Sequence, residues 1–168
     1  AAARDKQSCD EKIQPYQRIL PSSGSDSGLL KLMDVFTPSA LGQSVVISCS
    51  GKFSYSENAA ELTSSLQKIT KIDEILFLCL GVTAETKQKL SSVFPTAVFT
   101  GAGDGDEDEK IVKRVRDYAS AQAKCGKNVV VVLNNIDRAC SLSMDGAEKL
   151  VDSAAQFATG GSFTLFAF

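Results

Sequence analysis

The residues best placed to do chemistry lie between Leu41 and Glu57, where the chain reads as an apolar strand (44–48), a short polar loop and the start of a helix. A loop that cradles phosphate on its backbone amides has the spacing G-x-x-x-x-G-K-[ST]. Its lysine reaches the terminal phosphates and its hydroxyl holds magnesium. Ser56 supplies a hydroxyl at the right place, but Tyr55 stands where the lysine belongs. With Ser50, Gly51, Lys52 and Ser54 these two residues form a candidate vestigial phosphate loop, in which amides at a helix N-terminus and Lys52 would attract an anion. A plain strand-to-helix turn with an exposed lysine is the simpler reading, because the motif lysine is missing.

Other chemistries are more sharply limited. The sequence has no histidine, which excludes His-based acid/base catalysis, Ser–His or Cys–His nucleophiles and His-ligated metal. Cys9, Cys49, Cys79, Cys125 and Cys140 show no C-x-x-C spacing, so no zinc site is expected and a reducing, cytosol-like (cytoplasmic) compartment fits. Cys49 and Cys79 sit in apolar runs and read as small buried hydrophobes. Asp104, Asp106 and Asp108 alternate like the first ligands of a calcium loop, but Glu109 and Val115 occupy its glycine and bidentate-glutamate positions. A solvated acidic turn ahead of a helix is the better reading, since negative charge suits a helix N-terminus. Lys110, Lys113, Arg114 and Arg116 follow it, and pairing with those acids is preferred over contact with RNA.

Positioning such a loop requires a scaffold, and 168 residues with 43% apolar content suffice for one domain with a real core. Residues 1–28 are polar, contain Pro15, Pro21 and a Ser/Gly run, and read as a flexible leader and linker. The start, Ala1-Ala-Ala-Arg4, lacks Met and a signal-peptide core, as in a processed or engineered fragment. Residues 29–168 alternate short apolar strands with amphipathic segments. Strands are predicted at 44–48, 74–80, 96–100, 128–133 and 162–168, and helices at 56–68, 84–93, 110–123 and 145–158. Apolar strands without in/out alternation, each separated by a helix, predict an α/β fold with a parallel sheet flanked by helices on both faces. The net charge of -2 argues against a nucleic-acid footprint over the whole chain, and no eighteen-residue apolar run could cross a membrane.

Four blocks then carry a resemblance: Leu32 to Gln43 (LMDVFTPSALGQ), the loop region that follows, Asn128 to Arg138 (NVVVVLNNIDR), and Gly160 to Phe166 (GGSFTLF). As a set they resemble the ATPase core of transcription termination factor Rho, in the RecA-like family that also holds the F-type ATP synthase subunits. The resemblance spans residues 29–168 and implies a truncated RecA-like P-loop NTPase core. The segments that in the family supply a trans-acting arginine and a central RNA-binding loop would lie beyond Phe168.

At the family's working positions the chain departs. The Walker A lysine matches Tyr55, the Walker B aspartate matches Asn134, and the water-polarising glutamate falls near Val82, with Glu85 the nearest carboxylate. Arg138 keeps the family's arginine after Walker B, either at a subunit contact or in a surface salt bridge. Phosphoryl transfer depends on positioning and charge stabilisation, and one lost contact of this kind costs on the order of 3 kcal/mol. The resemblance therefore implies a degenerate domain, a pseudoenzyme with no catalytic residue, no metal and at most weak ATP as cofactor. It would serve as a scaffold or as a module binding a protein partner or ring-type oligomer. The alternative is a Rho-family domain that keeps weak ATP or RNA binding in transcription termination. A third reading is an unrelated α/β domain.

Overall fold

The computed structural model describes residues 10–23, 25–48, 55–101, 103, 105–142 and 144–168. Its centre is three apolar parallel strands: β5 (Glu74–Cys79), β7 (Asn128–Asn134) and β9 (Ser162–Ala167). β7 lies between the other two, with Val131 beside Leu76 and Leu165. The edge of β9 away from β7 takes two partners in succession. β8 (Ala155–Phe157) pairs antiparallel with its first half, and β4 (Ser44–Val46) pairs parallel with its second. Beyond β8 lies β1 (Lys12–Ile13), antiparallel, and on the far side of β5 lies β6 (Val98–Phe99), parallel. A separate ribbon joins β2 (Arg18–Ile19) to β3 (Ser39–Ala40).

Successive side chains of β7 point to opposite faces, and both faces are covered. Val129, Val131 and Leu133 meet Val112, Ala119 and Ala123 of α4 (Gly105–Lys124) and Leu150 of α6 (Met144–Asp152). Val130 and Val132 meet Leu62 and Leu66 of α2 (Tyr55–Leu66) and Leu30 and Met33 of α1 (Gly28–Phe36). Burial on both sides is the physical reason that these strands read as unbroken apolar runs. α3 (Ala84–Val93) buries no residue; its limits are set locally, with Thr83 Oγ1 accepting from Thr86 N–H at the start. No described helix is long and apolar enough to cross a membrane.

Three expectations change. The acidic run is not a turn ahead of a helix at Lys110, because α4 already begins at Gly105. The single helix expected over 145–158 divides into α6 and the strand β8, while α5 (Ile136–Leu142) occupies a stretch given no element. The segment read as a leader also carries structure: β1 extends the main sheet, Ile19 is buried in the core, and Ser65 Oγ donates to the Pro21 carbonyl. Residues 1–9 of that segment lie outside the described residues.

Gly160 and Gly161 turn the chain into β9. Gly160 adopts φ +95°, and a Cβ on Gly161 would stand 2.1 Å from the Ala123 carbonyl oxygen at the end of α4. Backbone cannot yield as a flexible side chain does, so Gly161→Ala is expected to lower stability by about 2 kcal/mol in urea unfolding. A loss below about 0.5 kcal/mol, the range of neutral surface changes, would show that α4 is not held this closely.

Candidate functional site

The parallel strands end together, and in open α/β sheets ligands bind outside the carboxyl ends of the strands. Asn134 closes β7 there, and its carbonyl accepts from Leu80 N–H at 3.3 Å. The Phe168 carbonyl at the end of β9 accepts from Ile136 N–H at 2.6 Å. Ser56 enters from the first turn of α2, and β4 lies parallel against β9, whose other side pairs with β7. Two sequence candidates thus meet: Asn134 Nδ2 donates to Ser56 Oγ at 2.9 Å. Asn134 is buried, and its Oδ1 has no hydrogen-bond partner among the described residues. Tyr55 is half-buried and packs its ring against the α2 side of the core. Ser50, Gly51, Lys52 and Ser54 lie outside the described residues.

Cys79 faces this pair from β5, in register with Asn134. Burial pushes its thiol up to about 12, and a hydrogen bond with Asn134 opposes part of that rise. The group is a neutral thiol at physiological pH, so it is a poor nucleophile despite its central position. Nothing in the sequence except its apolar surroundings marks it.

Beyond β5 the water-polarising position is apolar. Val82 is half-buried against the core, and its N–H donates to the Thr100 carbonyl at 3.0 Å. Glu85 turns away along α3 to Lys89, 2.7 Å distant, and that ammonium holds its exposed carboxyl below the usual range. Neither residue presents a carboxylate to the Asn134–Ser56 pair.

Arg138 sits on the first turn of α5 and reaches back over the strand ends. Its Nε donates to Asp108 Oδ2 at 2.5 Å and its Nη2 to the Gly101 carbonyl at 3.2 Å. Asp108 is fully buried, so this is not a surface salt bridge, one of the two roles expected of Arg138, and Asp108 does not belong to a solvated acidic loop. The arginine can lie there because Gly81 has no side chain. A Cβ on Gly81 would approach Arg138 Cδ to 2.5 Å, and the residue holds φ +62°. Asn135, a residue that sequence reasoning missed, orients the arginine's helix. In the left-handed region at φ 76°, it accepts from Arg138 N–H through Oδ1 and donates to the Leu80 carbonyl through Nδ2. An Asn three residues before a helical N–H is an N-cap signal that could have found it.

Two outcomes are expected from this geometry. Asp108→Ala leaves Arg138 without its buried partner and lowers stability by roughly 3 kcal/mol, while the Asp108→Leu/Arg138→Leu pair loses less than the sum of its single changes. Equal and additive losses in urea unfolding would deny the coupling. Cys79 gives an alkaline signature. The unfolded thiol releases its proton near 9.0 whereas the folded one holds it to about 12, so the folded state binds more protons and stability falls as pH rises through that window. The slope contributed approaches about 1.4 kcal/mol per pH unit. It should disappear in Cys79→Ala, and an unchanged slope in that variant would assign the effect to other groups.

No protein-family model matches the chain, and neither does any curated protein. Solved structures do. An ATP synthase subunit, NeqB, from Nanoarcheaum equitans superposes with a TM-score of 0.74 at 14% identity, covering 95% of this chain and 45% of that one. An ATPase from the type III secretion system of pathogenic bacteria superposes with a TM-score of 0.71 at 15% identity, covering 98% of this chain and 53% of that one. The chain therefore spans about half the length of each. The similarity is one of fold, and it does not support Rho in particular. The mostly parallel sheet, the helices on both of its faces and these superpositions give the chain a mixed α/β fold shared with parts of these two structures.

Proposed function

We propose that this chain is a degenerate RecA-like domain, Rho-like in its sequence blocks, that does not hydrolyse nucleotide and acts as a scaffold or partner-binding module beside other subunits of a ring-type assembly. The hydrogen bond from Asn134 to Ser56 carries this reading. In RecA-like ATPases the corresponding pair is a carboxylate and a hydroxyl that together hold magnesium. Here a neutral amide stands beside the hydroxyl and directs an N–H at its oxygen, adding no negative charge to hold a cation. The donor set does not fit a magnesium–nucleotide group. Val82 supplies no carboxylate, and Glu85 is engaged with Lys89.

The assembly part of the proposal draws on the two structural neighbours, one a subunit of an ATP synthase and the other an ATPase of a secretion system. A cytoplasmic setting accords with the free thiols of Cys79 and Cys125.

A second reading, retention of weak ATP or RNA binding, draws on Ser56, whose hydroxyl remains on the first turn of α2. It would use backbone amides and Lys52, and a Lys52→Ala variant with unchanged nucleotide affinity would count against it.

Thermal unfolding with millimolar Mg-ATP separates the two. The degenerate reading expects an unchanged midpoint and no phosphate release. Binding at about 100 times Kd would add about 2.7 kcal/mol of apparent stability, and that gain, or turnover at the rate of an ordinary ATPase, would overturn it.

A further inference from the structure

A cleft of about 240 Å³ opens at the far end of α2 from Ser56. α2 has twelve residues, so its two ends are about 18 Å apart. One wall is the end of β2 and the turn after it, contributing Arg18 and Ser23, and the other is the turn after α2, contributing Lys68, Thr70 and Lys71. Among the described residues no carboxylate lines the cleft, in a chain whose acidic residues outnumber its basic ones by 20 to 18.

Both walls are fixed. Ser65 Oγ donates to the Pro21 carbonyl across their base, and Ile19 is buried beneath. Ser23 N–H closes its turn on the Leu20 carbonyl at 2.9 Å, and Ile69 N–H closes the other on the Leu66 carbonyl at 3.0 Å. Arg18 is held by a hydrogen bond from Nη2 to the Asp34 carbonyl at 2.9 Å, while the Asp34 carboxylate accepts from Ser22 N–H and makes no ion pair with Arg18 among the described residues. Lys71 makes no side-chain hydrogen bond or ion pair among the described residues. The negative end of the α2 dipole accounts for lysines just beyond that helix. It does not account for Arg18, which comes from the opposite wall.

We propose that this cleft is a binding site for a phosphate monoester, distinct from the Asn134–Ser56 region and independent of whether that region binds nucleotide. Two cations from opposite walls, Arg18 and Lys71, suit a dianion better than a single carboxylate, and a guanidinium fork matches phosphate oxygens in geometry as well as charge. Ser23 and Thr70 add hydroxyl donors at the rim. Leu20, 46% exposed, and Ile69 offer apolar surface to the carbon skeleton that bears the phosphate. The volume suits a phosphate group with a few further heavy atoms, below the range of whole-cofactor pockets.

Backbone-amide NMR on the full chain at fixed ionic strength tests this, with inorganic phosphate and then glycerol 3-phosphate and a phosphoserine peptide as probes, and succinate as the dicarboxylate control. Saturable shifts are expected at Ser23 and at Lys68 to Lys71, with at least one ester binding more tightly than inorganic phosphate or succinate. Arg18→Gln combined with Lys71→Gln should weaken binding about tenfold or more, with an unchanged far-UV spectrum and melting midpoint. Shifts that never saturate, equal affinity in the double variant, or shifts confined to Tyr55 and Ser56 would each overturn the proposal. The last of these would instead speak for anion binding at the strand ends.

Discussion

The arrangement depends on the pairing of β9 between β7 on one side and β4 with β8 on the other. All six residues of β9 are buried, and its hydrogen bonds are shared among three strands. Parallel neighbours cannot be joined by a tight turn, so each requires a crossover, and the crossovers supply the helices that bury the sheet. This long-range ladder sets β4 and β7 on either side of β9, and the start of α2 meets the end of β7. Ser56 and Asn134 are 78 residues apart and meet for that reason. Without β9 in place, neither half of the candidate site has a position.

At the strand ends the Asn134–Ser56 pair is neutral, and the charged groups described nearby lie to its side. An unpaired carboxylate in the buried place of Asn134 would carry a large desolvation penalty without a bound cation, whereas an amide pays much less and still holds Ser56. The buried carboxylate described nearby, Asp108, is neutralised by Arg138 and sits on a different helix. An ion pair of this kind contributes more to specifying an arrangement than to net stability, since desolvation offsets much of its Coulomb attraction. Here it specifies how the start of α4 meets α5 over the end of β5.

Elements whose limits are local were legible in the sequence. The bounds of α3 follow from Thr83 at its start and from Pro95 just beyond Phe94, and β7 follows from a run of four valines. Elements defined by distant partners were not. Ala155 to Phe157 continue a helical apolar pattern, and only the edges of β9 and β1 make them a strand. Asp108 looks like one more member of an acidic run, because its partner lies 30 residues further on. Ser56 was singled out from the spacing of a phosphate loop and Asn134 from the resemblance of its strand, and the fold brings the two together. Cys79, Asn135 and the Gly81–Arg138 contact belong to no such motif, and their importance comes from the packing of three strand ends.

The two outermost strands of the main sheet, β1 and β6, are each two residues long. Such short edges expose too few backbone donors and acceptors to template another strand. Association with copies of this domain or with other chains by sheet extension at these two edges is thereby disfavoured, and so is edge-to-edge aggregation there. Whatever assembles with it at those edges must read side chains on helices and turns, so its choice of partner can change through surface substitutions that leave the sheet intact.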